Sequence, residues 1–174
     1  MSQPWPNKGP ISQIYQQAYQ QSLIRRPILK KLLAQIVDKD DFQILTDIKR
    51  LGSFENKVSR GKEPNEIHDV LRAVILTNSP EENEIVADRI NDMCDVVEQE
   101  FKTENDSGYR GAYHFKILLA GMTVEIQTMS RTLWAYKEAA HPGYERQKHG
   151  QEDSSLLSFS NWLYDTALKS EPSK

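Results

Sequence analysis

Lys49, Arg50, Lys57, Arg60 and Lys62 cluster within a short span that holds a single acid, Glu55. In a chain of formal net charge -3, such a cluster suits one specific anion, although a solvated helix face is the plainer reading. Lys57 and Arg60 are three apart and share a face of a short helix. Paired cations there, beside a sheet edge, are what a triphosphate needs. Asp69 follows, at the start of the apolar run Val70-Leu71-Arg72-Ala73-Val74. An acid in that place is either a strand-end turn residue or a metal ligand. Glu125 lies in Val124-Glu125-Ile126-Gln127. Strand alternation puts Val124, Ile126 and Thr128 on one face and Glu125, Gln127 and Met129 on the other. A carboxylate and an amide two apart mark a wet face, functional or merely exposed.

These residues need elements to hold them. Pro4, Pro6, Gly9 and Pro10 mark residues 1–10 as an extended, flexible lead-in. Residues 11–37 have helical spacing, with Pro27 starting a second helix. Phe42, Ile44, Thr46 and Ile48 alternate as a strand. Residues 53–60 form a short helix capped by Ser53, and residues 67–76 a second strand. Ser79, Pro80 and Glu82 spell an N-cap, a first-turn proline and a capping box. The helix they open is expected to run on through Ile85, Val86, Ile90, Met93, Cys94, Val97 and Phe101 as one buried stripe. Residues 104–108 are a loop. Residues 113–119 and 123–129 are strands joined by a tight turn at Ala120-Gly121-Met122. Residues 132–140 are helical and end before Pro142-Gly143. Leu156, Phe159, Trp162 and Leu163 mark a last amphipathic helix, best packed in the core, and residues 170–174 a tail. The sum is one α+β domain with a mixed sheet of four or five strands flanked by helices, over 11–150, then a C-terminal helix and tail over 151–174.

Composition narrows the function. The chain has 174 residues, 38% of them hydrophobic and 27% charged, which suits an ordinary domain and argues against disorder. No apolar run is long enough to span a bilayer, and no secretory leader is apparent, so a cytoplasmic protein without a membrane partner is expected. The single cysteine, Cys94, excludes an internal disulfide and a Cys-rich zinc site, and its setting is that of a small core residue. A His-Asp metal phosphohydrolase is argued against, because beyond His68-Asp69 the other histidines, His114, His141 and His149, stand in unrelated contexts. Charge is unevenly spread. Residues 1–37 hold five basic groups and no acid, whereas residues 81–106 hold ten acids and two basic groups. This polarity excludes indiscriminate coating of nucleic acid but fits one small, highly charged nucleotide.

Taken in order, four motifs resemble the RelA/SpoT alarmone synthetase domain over residues 42–145. Lys49, Ser53 and Lys57 at four-residue intervals, with Arg60 beyond, come first. Asp69 follows. Ser107-Gly108-Tyr109-Arg110-Gly111 and Glu125-Ile126-Gln127 match a Gly-Tyr-Arg loop and a Glu-X-Gln strand. Trp134-Ala135, Ala139-Ala140-His141 and Tyr144 are similar to the closing segment. The resemblance implies a nucleotidyltransferase-like fold that moves pyrophosphate from ATP to the 3′-hydroxyl of GDP or GTP, with Mg²⁺. Lys49, Ser53, Lys57, Arg60 and Arg72 would hold the ATP phosphates. Asp69 would bind Mg²⁺, and Glu125 would deprotonate the acceptor or share the metal. Tyr109 would stack on the acceptor base, with Arg110, Tyr113, His114 and Gln127 around it.

The chain also departs from the family pattern. Asp47 stands where many members carry Arg. Arg72 lies three residues past Asp69 rather than five. Tyr113 takes the place of a His that appears one residue later, as His114. Met129-Ser130 stands for an Arg-Thr that appears two residues late, as Arg131-Thr132. Two other readings therefore stay open. One is a toxin-type transferase acting on adenine nucleotides or the 3′ end of tRNA, which the basic N-terminal helices could contact. The other is a catalytically silent binding protein on the same fold. A homo-oligomer, an antitoxin and a regulatory partner are left open as well.

Overall fold

A computed structural model describes residues 11–38, 41–103, 109–148 and 154–170. The lead-in, the loop bearing Ser107 and Gly108, residues 171–174 and the side chains of Tyr144 and Leu156 lie outside what is described. The chain starts with one helix, not two: α1 (Ile11–Val37) contains Pro27 and buries Ile14, Tyr15, Ala18, Ser22, Leu29, Leu33 and Ile36. The expected break fails because Pro27 and the residue four before it, Leu23, both lie on the exposed side, where water can take the freed carbonyl. The buried stripe therefore runs on unbroken.

Next come β1 (Gln43–Ile48), α2 (Leu51–Ser59), a single 3-10 turn at Pro64–Glu66 and β2 (Leu71–Thr77). Ser53 does not cap α2. Arg50 holds the cap position without a side-chain bond, and Ser53 sits exposed in the first turn. A variant of the capping box forms in α3 (Pro80–Met93): the Ser79 side chain accepts from the Glu82 amide, and Glu82 reaches one residue past the cap to accept from the Asn78 amide at 2.8 Å. That helix then stops, contrary to the long buried stripe. Residues Val96–Phe101 form strand β3, and Ile85, Met93, Val97 and Phe101 are exposed. The helical spacing continues numerically through Val97 and Phe101. Antiparallel pairing with a later strand nevertheless gives Val96, Glu98, Gln99, Glu100 and Phe101 cross-strand partners, an arrangement that the β-branched valines favour. Cys94 caps the end of α3, half-buried against the core, and burial pushes its thiol up; it is not poised as a thiolate.

The hairpin forms as the turn residues dictate. β4 (Tyr113–Leu119) and β5 (Met122–Ser130) meet at Ala120 and Gly121, whose φ angles are 47° and 78°, the geometry that matches strand twist. Helices α4 (Arg131–Lys148) and α5 (Ser154–Ser170) finish the chain. Here α4 runs through Pro142, which lies exposed, so the expected stop before Pro142-Gly143 is not made.

The five strands form one sheet in the order β1-β2-β5-β4-β3. Only β2 and β5 run parallel among these pairs; the others are antiparallel. This is the mixed α+β architecture expected. One face packs on α1, α2 and α3 through Leu33, Ile36, Phe54, Ile75, Ile90, Phe115 and Ile126. A second core, with Met129, Leu133, Leu163, Tyr164 and Ala167, lies under α4 and α5 on the other face. It covers that face only in part, and the uncovered part is polar. Among the described residues no helix is long and apolar enough to cross a membrane.

Candidate functional site

Lys49 ends β1 with its amide bonded to the Val70 carbonyl at 2.8 Å, and its own carbonyl accepts from the Tyr15 hydroxyl at 2.8 Å. Both the strand ladder and α1 therefore fix where it stands. Its ammonium lies 2.5 Å from Asp69 Oδ2, and Lys57 of α2 reaches the same oxygen at 2.7 Å. Burial pushes the Asp69 carboxyl up, but the charges and hydrogen bonds of the two lysines outweigh it and hold the group below its ordinary value. Burial pulls the Lys49 ammonium down and Asp69 partly restores it. The other carboxylate oxygen, Asp69 Oδ1, is buried with no hydrogen-bond partner among the described residues. Asp69 lies two residues before β2, in the connection from the 3-10 turn rather than inside a strand.

Glu125 lies one strand over, and alternation places it as expected: Val124, Ile126 and Thr128 are buried in the sheet, while Glu125 and Gln127 are half-buried on the polar face. Register reveals what no local pattern could. Asp47, Arg72, Glu125, Lys116 and Glu98 are direct cross-strand neighbours, one from each strand from β1 to β3. Their charges alternate along the row. Arg72 pairs with Asp47 at 2.6 Å, and Lys116 with Glu98 at 2.5 Å. The outer-strand acids thus engage the two cations that flank Glu125. Glu125 instead faces His114, whose Nδ1 lies 3.7 Å from Oε1. Burial pushes the Glu125 carboxyl up, but His114 outweighs it, and the group rests below its ordinary value. Asp69 also acts on it through space, so the two acids are neighbours in one site.

A cleft of about 690 Å³ lies over this face. Its walls include Lys49, Lys57, Arg60, Asp69, Arg72, Tyr109, His114, Glu125 and Gln127. A second recess, about 490 Å³, opens beside it and shares Lys49, Lys57, Arg60 and Arg72 while adding Ser53. Ten of the twelve residues implied by the resemblance therefore come together. Two do not. Arg110 pairs with Asp165 of α5. Tyr113 falls on the opposite sheet face, stacked on Phe115, because strand parity sends it away from His114. Tyr109 lies in the cleft, but its ring is 7% exposed and lies 5.1 Å beneath the Lys137 ammonium, and its hydroxyl meets His114 Nε2 at 3.1 Å.

Lys137 is the site residue that motif reading misses. It lies on α4 between Leu133 and Ala140, on the helix's buried stripe, and that i, i+4, i+7 position is the sequence signal. Burial pulls its ammonium down to about 8. Two of the basic groups in residues 1–37, Arg25 and Arg26, are engaged within the fold: they donate to the carbonyls of Ala120 and Thr46.

Among the described residues, no three His, Cys, Asp or Glu side chains gather closely enough to hold a metal unaided. Mg²⁺ does not require that, since it commonly takes one or two carboxylates and completes its shell with water and substrate phosphates. The unpartnered Asp69 Oδ1 beside Glu125 suits such an ion.

No family model and no curated protein matches the chain. Solved structures do. Small alarmone synthetase 1 from Bacillus subtilis, bound to its product pppGpp, is 19% identical with a TM-score of 0.67, over 89% of this chain and 87% of that one. Small alarmone synthetase 2 from the same organism is 18% identical with a TM-score of 0.69, over 86% and 88%. The type VI effector Tas1, solved in complex with its immunity protein, is 15% identical with a TM-score of 0.64, over 89% and 96%. At these identities the likeness is one of architecture: the chain is built on the fold of the RelA/SpoT-type small alarmone synthetases.

Proposed function

We propose that this protein transfers pyrophosphate from ATP to the 3′-hydroxyl of a guanine nucleotide, GDP or GTP. The observation that carries the reading is the joining of two acids, Asp69 and Glu125, with the lysine pair Lys49 and Lys57 in one cleft. Phosphoryl-type transfer asks a protein for charge neutralisation and alignment more than for covalent help. Lys49, Lys57, Arg60 and Arg72, with Ser53 at the recess, are placed to take up the donor's phosphates, Lys57 exchanging Asp69 for a phosphate oxygen. Glu125 is the base: the acceptor oxygen bonds to the β-phosphorus, the bond from that phosphorus to the α–β bridging oxygen breaks, AMP leaves, and the proton passes to Glu125. His114, which holds Glu125 ionised at rest, keeps it ready to accept. Asp69 and Glu125 would hold Mg²⁺, which when bound supplies charge neutralisation on the transferring oxygens.

Two departures from the family pattern, Asp47 and Met129, bear on the silent reading. Asp47 is partnered by Arg72 in the cleft wall, and Met129 is fully buried core, while both acids and the lysine pair still line the cleft. A toxin-type transferase acting on adenine nucleotides or the 3′ end of tRNA is the second reading, and the likeness to the type VI effector Tas1 is what favours it. An inhibitory protein partner would suit a toxin role of that kind.

The test is to incubate the protein with labelled ATP and Mg²⁺, offering GDP, GTP, ADP and uncharged tRNA in turn. Labelled guanosine tetra- or pentaphosphate is expected. Label on adenine products or tRNA instead would replace the acceptor, and no transfer to any of the four would overturn the reading. Asp69→Asn and Glu125→Gln are each expected to abolish transfer while circular dichroism still reports a folded protein.

A further inference from the structure

Lys137 and Gln127 set hydrogen-bond donors side by side in the cleft wall. Lys137 Nζ donates to Gln127 Oε1 at 2.8 Å. An ammonium has no acceptor, so the amide must turn its oxygen to Lys137 and present its NH₂ elsewhere. The same ammonium lies 5.1 Å from the ring centroids of both Tyr109 and Trp134, which stabilise its charge through their π faces without serving as ordinary acceptors. Among the described residues Lys137 makes no ion pair and no other hydrogen bond. One side-chain bond uses one of its three N–H groups. The corner therefore holds the spare donors of Lys137 together with the amide of Gln127, two residues along β5 from Glu125.

Resting on the transferase reading above, we propose that Lys137 and Gln127 form an oxygen-reading anchor for the acceptor nucleotide, selecting a carbonyl or phosphate oxygen over an amino group. Spare N–H donors of Lys137 and Gln127 reward an acceptor atom, whereas an exocyclic amine placed against them meets other N–H groups, a buried mismatch that costs affinity. The carbonyl of a guanine edge and an oxygen of the acceptor's phosphates share this chemistry. In the parallel register Arg72 lies opposite Glu125 and Val74 opposite Gln127, so Asp69, three residues before Arg72, and Gln127 flank the level of Glu125 from opposite ends. A nucleotide held by Lys137 would thus sit on the far side of Glu125 from the donor's phosphates. The lowered ammonium is consistent with a cation kept ready for an oxygen that arrives with the ligand.

Calorimetric binding of GDP, GMP and ADP, without ATP, tests this in the full-length protein and in Lys137→Met and Gln127→Glu. Both variants are expected to bind GDP about tenfold or more weakly, while the KM for ATP in the transfer assay is unchanged. If the base carbonyl is the ligand, Lys137→Met narrows the preference for GDP over ADP. If a phosphate oxygen is the ligand, GDP and ADP weaken together and GMP loses less. Gln127→Glu keeps the size and swaps donor for acceptor, so it still speaks if Lys137→Met fails to fold. A folded Lys137→Met that binds GDP and ADP like the wild type would overturn the anchor, as would a wild type that binds neither. Wild-type binding that responds to the variants as expected, with no transfer to any acceptor, would support the anchor and overturn the pyrophosphotransferase reading alone.

Discussion

Asp69 divides its carboxylate between two tasks. One oxygen is gripped by Lys49 and Lys57, and the other is buried without a partner. The first contributes to stability, and the second is the one that the proposed function assigns to the ligand. Because the folded carboxyl sits below its ordinary value, its contribution is complete above the unfolded pKa and is lost as pH falls through the folded one. Asp69→Asn leaves two cations facing an amide, so a cost of about 3 kcal/mol is expected at neutral pH. Thermal melts of wild type and variant should converge as pH drops below about 4; a gap that stays constant across that range would remove the ionic account. At this scale the site is legible wherever spacing is local. Lys49, Ser53 and Lys57 repeat at helical intervals, and Glu125 and Gln127 alternate on a strand. Lys137 is not legible as a motif, because what makes it chemical is burial beside Tyr109 and Trp134, a property of the packed helix.

Between elements, the alternating row Asp47-Arg72-Glu125-Lys116-Glu98 explains two departures from the family pattern at once. Asp47 and Arg72 are register partners, so an acid in β1 and an arginine early in β2 arrive as a pair. Asp47→Asn releases Arg72 toward its other register partner, Glu125. The base should weaken, transfer should slow by about tenfold, and the acid limb of the pH–rate profile should move to lower pH. A profile unchanged in position would show that Asp47 does not shield Glu125. The capping box is a local device with a local cost: Ser79→Ala should lower stability by about 1 kcal/mol in denaturant titration and leave transfer intact. Local cues of this type, the cap and the turn at Ala120-Gly121, make α3 and the β4–β5 hairpin readable from the chain alone. The same cues misplace β3, whose partner lies further along the chain, and misplace the ends of α1 and α4, where exposed prolines are tolerated because water replaces the missing bond.

Across the whole molecule, α4 and α5 convert a sheet face into a cleft. Gly111, at φ 85°, brings the loop before β4 so close to α5 that a Cβ there would lie 3.1 Å from Leu168. Ala167 and Tyr164 are buried beside it. In contrast, Phe159 and Trp162 of α5 stack on one another at the surface, half exposed, so of the three markers whose side chains are described only Leu163 enters the core. The strand order has a consequence for how the protein comes alive. β1 with β2, and β3 with β4 and β5, are two antiparallel groups that can each zip from near neighbours in the chain. They are joined by the parallel contact of β2 with β5, the longest closure in the sheet. Asp69 belongs to the first group and Glu125 to the second, so the two acids meet only when that seam shuts. In refolding from denaturant, secondary structure should return ahead of nucleotide binding and transfer, and activity should follow the last kinetic phase. On the proposed function, competence would then be a signal that the chain has finished folding: a half-assembled molecule holds each acid but not the pair, and would not spend ATP.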